Sequence, residues 1–330
     1  MKKIFSILCV VCLAVMSFTA CGTANPAQTS DDPAKISVVA TIFPQYDFVR
    51  AIAGDKVNLT MLLPPGSESH SYEPTTRDIT NIQSSDLFIY VGGESDEWIA
   101  DVLDSMDQSK MQILTLMDCV DVVEEVLVEG MEEEEEEAEE GTEEGTEEGE
   151  GEEAPEYDEH VWTSPKNAKL IVEKITAALV ALDEANADAY LANKTAYLAK
   201  LDDLDAQFQS VVDNAARKTI VFGDRFPFRY FADAYGLDYY AAFPGCSTET
   251  EPSAATVRFL IDKIKAENIP VVFHIELANE QMAETISEST GAKVLLLHAC
   301  HNISKDDFTA GVTYLDLMTG NVSALREALA

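Results

Sequence analysis

The sequence predicts an α/β protein of two lobes, each with a mostly parallel sheet, joined by one long, rigid helix. Short apolar, β-branched runs alternate with helical stretches from Ile36 to Val91, and the alternation resumes from Thr219 to Leu297. Such alternation favours parallel strands with helices packed against the sheet. Between these regions, apolar residues recur at helical spacing for about 28 residues after Asn186, which corresponds to about 40 Å of helix. A helix of that length could connect two lobes; two ordinary surface helices are the alternative.

The predicted lobes comprise residues 36–163 and 215–330, with a helical region at 164–214 between them. In the first lobe the predicted strands are Ile36–Ile42, Val57–Leu63 and Leu87–Val91, and the predicted helices are Tyr46–Ala53 and Thr76–Ser84. The helical region begins at Ser164-Pro165, because serine is a good N-cap and proline fits the first turn. In the second lobe we expect strands at Thr219–Phe222, Leu237–Ala242, Val271–Ile275 and Ala292–Leu297, the last one buried, and helices at Ser253–Glu267 and Ala278–Thr290.

The charge balance excludes some classes of function. Of 330 residues, 60 are acidic and 22 are basic, which gives a formal net charge of −38. Such a protein repels phosphate backbones, so it is not a general nucleic-acid binder, and it offers no basic face to an anionic membrane. A metal cation remains open as a partner.

The first twenty residues form a predicted lipoprotein signal peptide. Lys2 and Lys3 precede an apolar run from Ile4 to Phe18, and small residues then lead to Cys21. This pattern predicts cleavage before Cys21 and a lipid on its thiol, with an ordinary secretory signal or a membrane anchor as alternatives. Residues 21–35 are predicted to be a flexible tether, because small and polar residues dominate them.

The window from residue 132 to residue 159 is extremely acidic. It holds seventeen glutamates and Asp158 without a lysine or arginine, so self-repulsion predicts a disordered loop. We interpret it as a solubilising insertion, with a weak collector of cations as the alternative.

Outside the signal and Cys21, the only cysteines are Cys119, Cys246 and Cys300, which are too few and too scattered to form a disulfide framework. One bridge between Cys246 and Cys300 is possible in an oxidising compartment.

Four of the five histidines occupy positions at which α/β proteins commonly bind their ligands. His70 lies in a loop after a strand, His160 directly precedes a helix cap, and His298 and His301 follow the last predicted strand. Ligands of parallel α/β sheets bind beyond the carboxyl ends of the strands. Neutral imidazoles are good zinc ligands, and carboxylates or thiolates can complete a tetrahedron. The placement is consistent with a metal site, and four separate structural histidines remain the alternative.

Four stretches, in order along the chain, resemble the metal-binding subunits of bacterial ABC transporters for zinc and manganese. They are GSESHSYEPTTRDI, DEHVWTSPKNA, RYFADAYGL with TETEPSAAT, and EQMAETISESTGAKVL. The resemblance implies one cation in the cleft between two α/β lobes, with His70 and His160 as ligands from the first lobe. It also implies that Glu73, Asp158 and Trp162 orient ligands or line the cleft.

The chain departs from the family at the third ligand, because Arg225 stands where a ligating residue is expected. A guanidinium has no acceptor and cannot ligate a cation. The family's fourth ligand aligns with His298, and His301 could supply the missing donor if the chain turns after His298. Asp224 and Cys300 remain possible ligands.

Two further residues of the second lobe stay open as ligands. His274 and Glu276 share one face of a predicted strand, since side chains alternate along a strand with a period of two. As an alternative to ligation, Glu276 could pair with Arg225.

The resemblance implies a lipid-anchored extracytoplasmic receptor rather than an enzyme. It would capture Zn²⁺ and deliver it to a membrane permease with an intracellular ATPase. Imidazoles favour Zn²⁺ over Mn²⁺, which prefers sites rich in oxygen. Two alternatives remain: a zinc-dependent hydrolase with an open coordination position, and a surface adhesin that has lost metal binding.

Overall fold

The computed structural model describes residue 32 and residues 34–131, 156–247 and 252–330. The predicted signal peptide, Cys21, nearly all of the tether and most of the acidic window lie outside the described residues. Among the helices of the described ranges, none combines the length and the hydropathy needed to cross a bilayer.

Four parallel strands form the sheet of the first lobe, in the order β2-β1-β3-β4. The elements are β1 (Ser37–Ala40), α1 (Phe43–Ala53), β2 (Asn58–Met61), α2 (Thr76–Gln83), β3 (Leu87–Tyr90), α3 (Glu97–Asp104) and β4 (Gln112–Thr115). Sequence reasoning found the first three strands and missed α3 and β4. Helix α1 begins three residues earlier than expected, because Pro44 fits its first turn and Gln45 caps the amide of Ile42.

The helical region consists of two helices, α4 (Pro165–Leu182) and α5 (Ala187–Asp213). At 27 residues, α5 has the predicted length of about 40 Å. Helices α1 and α4 pack along it, as does the C-terminal helix α10 (Tyr314–Ala328), which the sequence reading missed. Buried side chains of α5 belong to one apolar cluster that runs from Val38 of the first sheet to Val271 of the second. The long helix thus contributes side chains to an apolar core that includes strands of both sheets.

The second lobe contains three parallel strand pairs, two of which are joined by a bridge between Phe222 and Phe273. Its elements are β5 (Thr219–Val221), β6 (Arg225–Phe226), α6 (Arg229–Tyr235), β7 (Asp238–Tyr240), β8 (Phe243–Pro244), α7 (Ala254–Glu267), β9 (Val271–His274), α8 (Gln281–Thr290), β10 (Lys293–Leu296) and α9 (Lys305–Ala310). The expectation that the last strand is buried is wrong. Strand β10 pairs only with β9 in the described chain, and Lys293 and Leu296 are exposed.

The fold brings the carboxyl ends of β1, β3, β9 and β10 to a common cleft. The chain between the acidic window and α4 also reaches this cleft, because Trp162 is buried there and donates its indole N–H to the carbonyl of Ala299. The predicted end of the disordered loop, at residue 159, therefore lies too far along the chain. Asp158 and Glu159 lie within the fold, at 1% and 3% exposure.

Candidate metal centre

Three histidines from three separate segments converge in the cleft. His70 comes from the loop between β2 and α2, His160 precedes the short helical turn Val161–Thr163 before α4, and His301 follows β10. One ligand atom from each lies within 4.8 Å of the others. Their ring centroids are 4.8 to 5.7 Å apart. The side chains therefore lie close enough to bind one ion together.

The Nε2 atoms of all three rings are buried and have no hydrogen-bond partner among the described residues. A buried polar atom without a partner costs free energy, and three such atoms in one place are unusual for a folded core. A divalent cation between the rings would satisfy all three lone pairs at once. This arrangement fits a metal site better than it fits a structural cluster of histidines.

The Nδ1 atoms, by contrast, all have acceptors. His70 Nδ1 lies 2.8 Å from Ser95 Oγ, His160 Nδ1 lies 3.1 Å from Asp158 Oδ1, and His301 Nδ1 lies 3.2 Å from Glu276 Oε1. Ser95 Oγ donates to Glu159, so it accepts from His70. With its proton on Nδ1, each imidazole presents the Nε2 lone pair toward the cleft, which is the usual support of a metal-ligating histidine.

Glu276 shapes the segment that carries His301. Its carboxylate accepts the backbone amides of Ala299 at 2.7 Å and His301 at 2.8 Å, so the chain wraps around it after β10. Cys300 has a φ of +67° at this turn, which directs His301 into the cleft. Burial alone would raise the pKa of Glu276, but the neighbouring His298 and His301 lower it to about 2. Glu276 is therefore ionised at neutral pH and lies behind the cluster.

The pKa values of the three imidazoles are shifted in different directions. Burial and the other two rings hold the pKa of His70 well below its ordinary value, and burial also lowers the pKa of His301. Burial pushes the pKa of His160 down as well, but the carboxylates of Asp158, Glu159 and Glu125 outweigh it and raise the pKa. Two of the three rings are thus neutral at pH 7, as ligation requires, and His160 is the ring where a proton competes most strongly.

His298 does not join the cluster, contrary to the expectation from the alignment. Its Nδ1 accepts the amide of Cys300 at 3.0 Å and lies 3.4 Å from Glu276 Oε2, on the other side of that carboxylate from His301. Asn321 fixes the backbone of His298 on both sides, through its amide oxygen and nitrogen. The turn at Cys300 separates the two histidines, so only the second of them faces the cleft.

The remaining open candidates lie outside the cluster. His274 Nδ1 lies 3.0 Å from the carbonyl of Ile275, and Asp224 accepts the amides of Arg225 and Ile275. Cys300 is buried, and its thiol lies 3.7 Å from the carbonyl of His298.

Arg225, which replaces the expected ligand, pairs with Glu68 and not with Glu276. Its Nη1 lies 3.2 Å from Glu68 Oε1 and 3.2 Å from the carbonyl of Ser247. Glu73 is exposed and belongs to neither group of converging ligand atoms. Trp162 does, since its ring lies 5.5 Å from that of His160 and 5.4 Å from that of His301.

Glu159, His160 and Cys246 form a second group whose ligand atoms lie within 4.8 Å of one another. Burial, followed by the nearby carboxylates, raises the pKa of the Cys246 thiol well above its ordinary value, so the ligating thiolate is disfavoured. Glu159 already accepts the amide and hydroxyl of Ser95. The three-histidine cluster is therefore the better metal site.

The cysteines of the described chain are free. Cys119, Cys246 and Cys300 are all buried thiols, so the bridge that the sequence left possible between Cys246 and Cys300 does not form.

Sequence reasoning missed Ser95 and Glu159 as supports of the site. Ser95 follows the Gly92-Gly93 turn after β3, where its position beyond a strand's carboxyl end was the only available signal. Glu159 was hidden because it belongs to an acidic window whose composition predicts disorder.

Comparisons with known proteins identify the family of the chain. Residues 38–328 match the family model described as ZnuA, zinc-uptake complex component A, periplasmic. The high-affinity zinc uptake system protein ZnuA of Bacillus subtilis is 34% identical over 330 residues, which is 100% of this chain and 99% of that protein. The zinc-binding lipoprotein AdcA of Streptococcus pneumoniae is 31% identical over 99% of this chain, which spans 61% of the length of AdcA.

Solved structures show the same fold. The Zn(II)-bound ZnuA-like domain of Streptococcus pneumoniae AdcA superposes with a TM-score of 0.71 at 29% identity, over 89% of this chain and 99% of that domain. Together with the family match over nearly all of the described chain, this likeness settles the classification. The chain belongs to the ZnuA family of periplasmic zinc-uptake components.

Proposed function

We propose that this protein captures one Zn²⁺ ion with the Nε2 atoms of His70, His160 and His301 and delivers it to the permease of an ABC importer. As a member of a zinc-uptake family, the chain is a solute-binding component of transport and not an enzyme. The identity of the ligands, the partner subunits and the lipid anchor at Cys21 are parts of the proposal.

The observation that carries the proposal is the set of three buried Nε2 atoms without partners. Zinc takes imidazole ligands at about 2.0–2.1 Å in tetrahedral geometry, and three rings with centroids 4.8 to 5.7 Å apart suit that geometry. Manganese prefers oxygen ligands in octahedral sites, which a cluster of imidazoles does not supply. The donor set therefore favours zinc as the cargo.

Three carboxylates surround the ligands of the proposed divalent cation. Asp158 and Glu276 each support one ligand, and Glu159 supports a third through Ser95. These carboxylates do not need to bind the ion directly in order to offset its charge in a buried site. The cation thus gains anionic surroundings while all of its protein ligands are neutral rings.

A zinc hydrolase is disfavoured by the space at the site. The cavity beside His301, lined by Ser95, Tyr72 and Trp162 among others, has a volume of about 20 Å³. This volume holds about one water molecule, whereas pockets for small-molecule substrates measure about 300–1,000 Å³. A water molecule fits in this cavity, which His70 and His160 do not line, but a substrate does not.

Calorimetric titration of the metal-free mature protein with Zn²⁺ and Mn²⁺ tests the proposal. We expect one tight zinc site, weaker binding of manganese, and loss of the zinc site in His70→Ala. His274→Ala is the matched control, because His274 is a buried histidine outside the cluster. Failure of the wild type to bind zinc, or equal loss of binding in both variants, would contradict the proposal.

A further inference from the structure

The loop that carries His70 is attached to the opposite lobe directly beside the cluster. We define the His70 loop as residues 62–75, between β2 and α2. Asn302, the neighbour of His301, donates both protons of its amide to this loop, at 2.8 Å to the carbonyl of Pro64 and 2.8 Å to that of Ser67. The amide of Gly66 also donates to the carbonyl of Ile303 at 2.8 Å. Asn302 is only 1% exposed, so these bonds are shielded from water.

A second attachment lies at the tip of the same loop. Glu68, two residues before His70, accepts from Arg225 at 3.2 Å and from the amide of Ser71 at 2.9 Å. It therefore closes the turn around His70 and ties that turn to the second lobe. The Arg225 side chain is 9% exposed and that of Glu68 is 35% exposed, so the pair sits at the rim of the site.

The other two ligands are held by a part of the molecule that is fixed independently of this loop. Trp162 donates to the carbonyl of Ala299 and so joins the segments of His160 and His301. The carbonyl of Trp162 accepts from the hydroxyl of Tyr314, a fully buried residue of α10. His160 and His301 are thus joined by hydrogen bonds that do not involve the His70 loop, so His70 is the ligand whose position depends on that loop.

We propose that Asn302 and the Glu68–Arg225 pair form a clamp that holds His70 over the bound ion and sets the rate at which zinc is released. They are positioning residues, since they act through His70 and do not touch the ion. The inference rests on the proposed function and adds to it a residue role for Arg225, which stands where its family has a ligand.

The alternative role of the pair is purely electrostatic, and it predicts effects of opposite sign. If Arg225 acted only as a positive charge near the ion, Arg225→Met would slow release and Glu68→Gln would speed it. A clamp predicts that either substitution speeds release, because each breaks the same contact. The double variant Glu68→Gln/Arg225→Met should then release zinc no faster than the single variants.

Stopped-flow transfer of zinc from the loaded mature protein to an excess of a chromogenic chelator measures this rate. We expect Arg225→Met and Glu68→Gln each to raise the release rate about tenfold, which corresponds to one hydrogen bond with a charged partner. Arg225→Lys should restore part of the slow release. Asn302→Asp, which keeps the shape but loses the donors, should raise the rate at least as much.

The association rate and the thermal unfolding of the metal-free protein separate this role from a general loss of structure. Both should stay close to the wild-type values in Glu68→Gln, whose side chain lies at the rim. Arg229→Met, which breaks an exposed pair with Asp233 on α6, is the matched control and should leave the release rate unchanged.

Unchanged release in Glu68→Gln and Arg225→Met would overturn the clamp while leaving the proposed function intact, and so would slower release in Arg225→Met. Failure of the wild-type protein to bind zinc would overturn both.

Discussion

Replacement of His301 by alanine separates the site seen in the structure from the site expected by alignment. The Nε2 atom of His301 is one of three buried ring nitrogens without a hydrogen-bond partner among the described residues, whereas Nδ1 of His298, three residues earlier, accepts the amide of Cys300. His301→Ala removes a ligand, and His298→Ala removes a neighbour of Glu276. The two variants differ only in which histidine of the same segment is lost.

The expected magnitudes follow from the contacts. Structural zinc sites with four ligands have binding free energies of about 10–16 kcal/mol, so one donor contributes about 3 kcal/mol, or a factor of about 100 in affinity. His298 lies 3.4 Å from Glu276 Oε2 and contacts no ligand ring in the cluster. Its loss should weaken binding by less than about tenfold, because even groups that hydrogen-bond directly to a metal ligand contribute about 10–100-fold.

Competition with a chelator of known affinity measures both dissociation constants on the same scale. The fold should survive in His301→Ala, because Glu276 keeps the amides of Ala299 and residue 301 as partners. Circular dichroism and thermal unfolding of the metal-free variants check this point. If His298→Ala weakened zinc binding as much as His301→Ala, or more, the ligand set proposed here would be wrong.

Three further outcomes are expected. Glu276→Gln should weaken zinc binding by about 10–100-fold in the same chelator competition, because the amide is a poorer partner for the Nδ1 proton of His301; wild-type affinity would contradict its supporting role. Burial and the nearby Glu159 raise the pKa of Asp96 to about 7, so its contribution to stability is present at acid pH and is lost as the pH rises from about 4 toward 7. Asp96→Asn should therefore gain stability relative to the wild type over that range, and a pH-independent difference in melting temperature would count against the shift. Alkylation followed by peptide mapping should find Cys246 and Cys300 unmodified in the native protein and both modified after unfolding without reductant; a linked peptide would show a disulfide instead.

The strands and helices with strong local patterns could be predicted from the sequence. Strand β1, for example, combines β-branched residues with a turn signal, and α5 repeats apolar residues at helical spacing over its whole length. Helix α3 and strand β4 were missed, because their segments are only partly buried and carry a weaker apolar pattern. The exposure of β10 depends on the absence of a further partner strand among the described residues, which no local pattern reveals.

The site could be predicted only in part for a similar reason. His70 and His160 stand in stretches that resemble the metal-binding transport subunits, and the structure brings them together. The choice between His298 and His301 depends on the left-handed turn at Cys300, and local sequence gives no sign of it because cysteine rarely adopts such a conformation. The pairing of Arg225 with Glu68 joins residues 157 positions apart, so it depends on the packing of the two lobes.

Diffraction from crystals of the zinc-loaded protein, measured on both sides of the zinc absorption edge, tests the central claim most directly. We predict a single anomalous peak in the cleft, at about 2.0–2.1 Å from the Nε2 atoms of His70, His160 and His301. A peak bonded to His298 or to the Cys246 thiol, or no peak between the two lobes, would contradict the account.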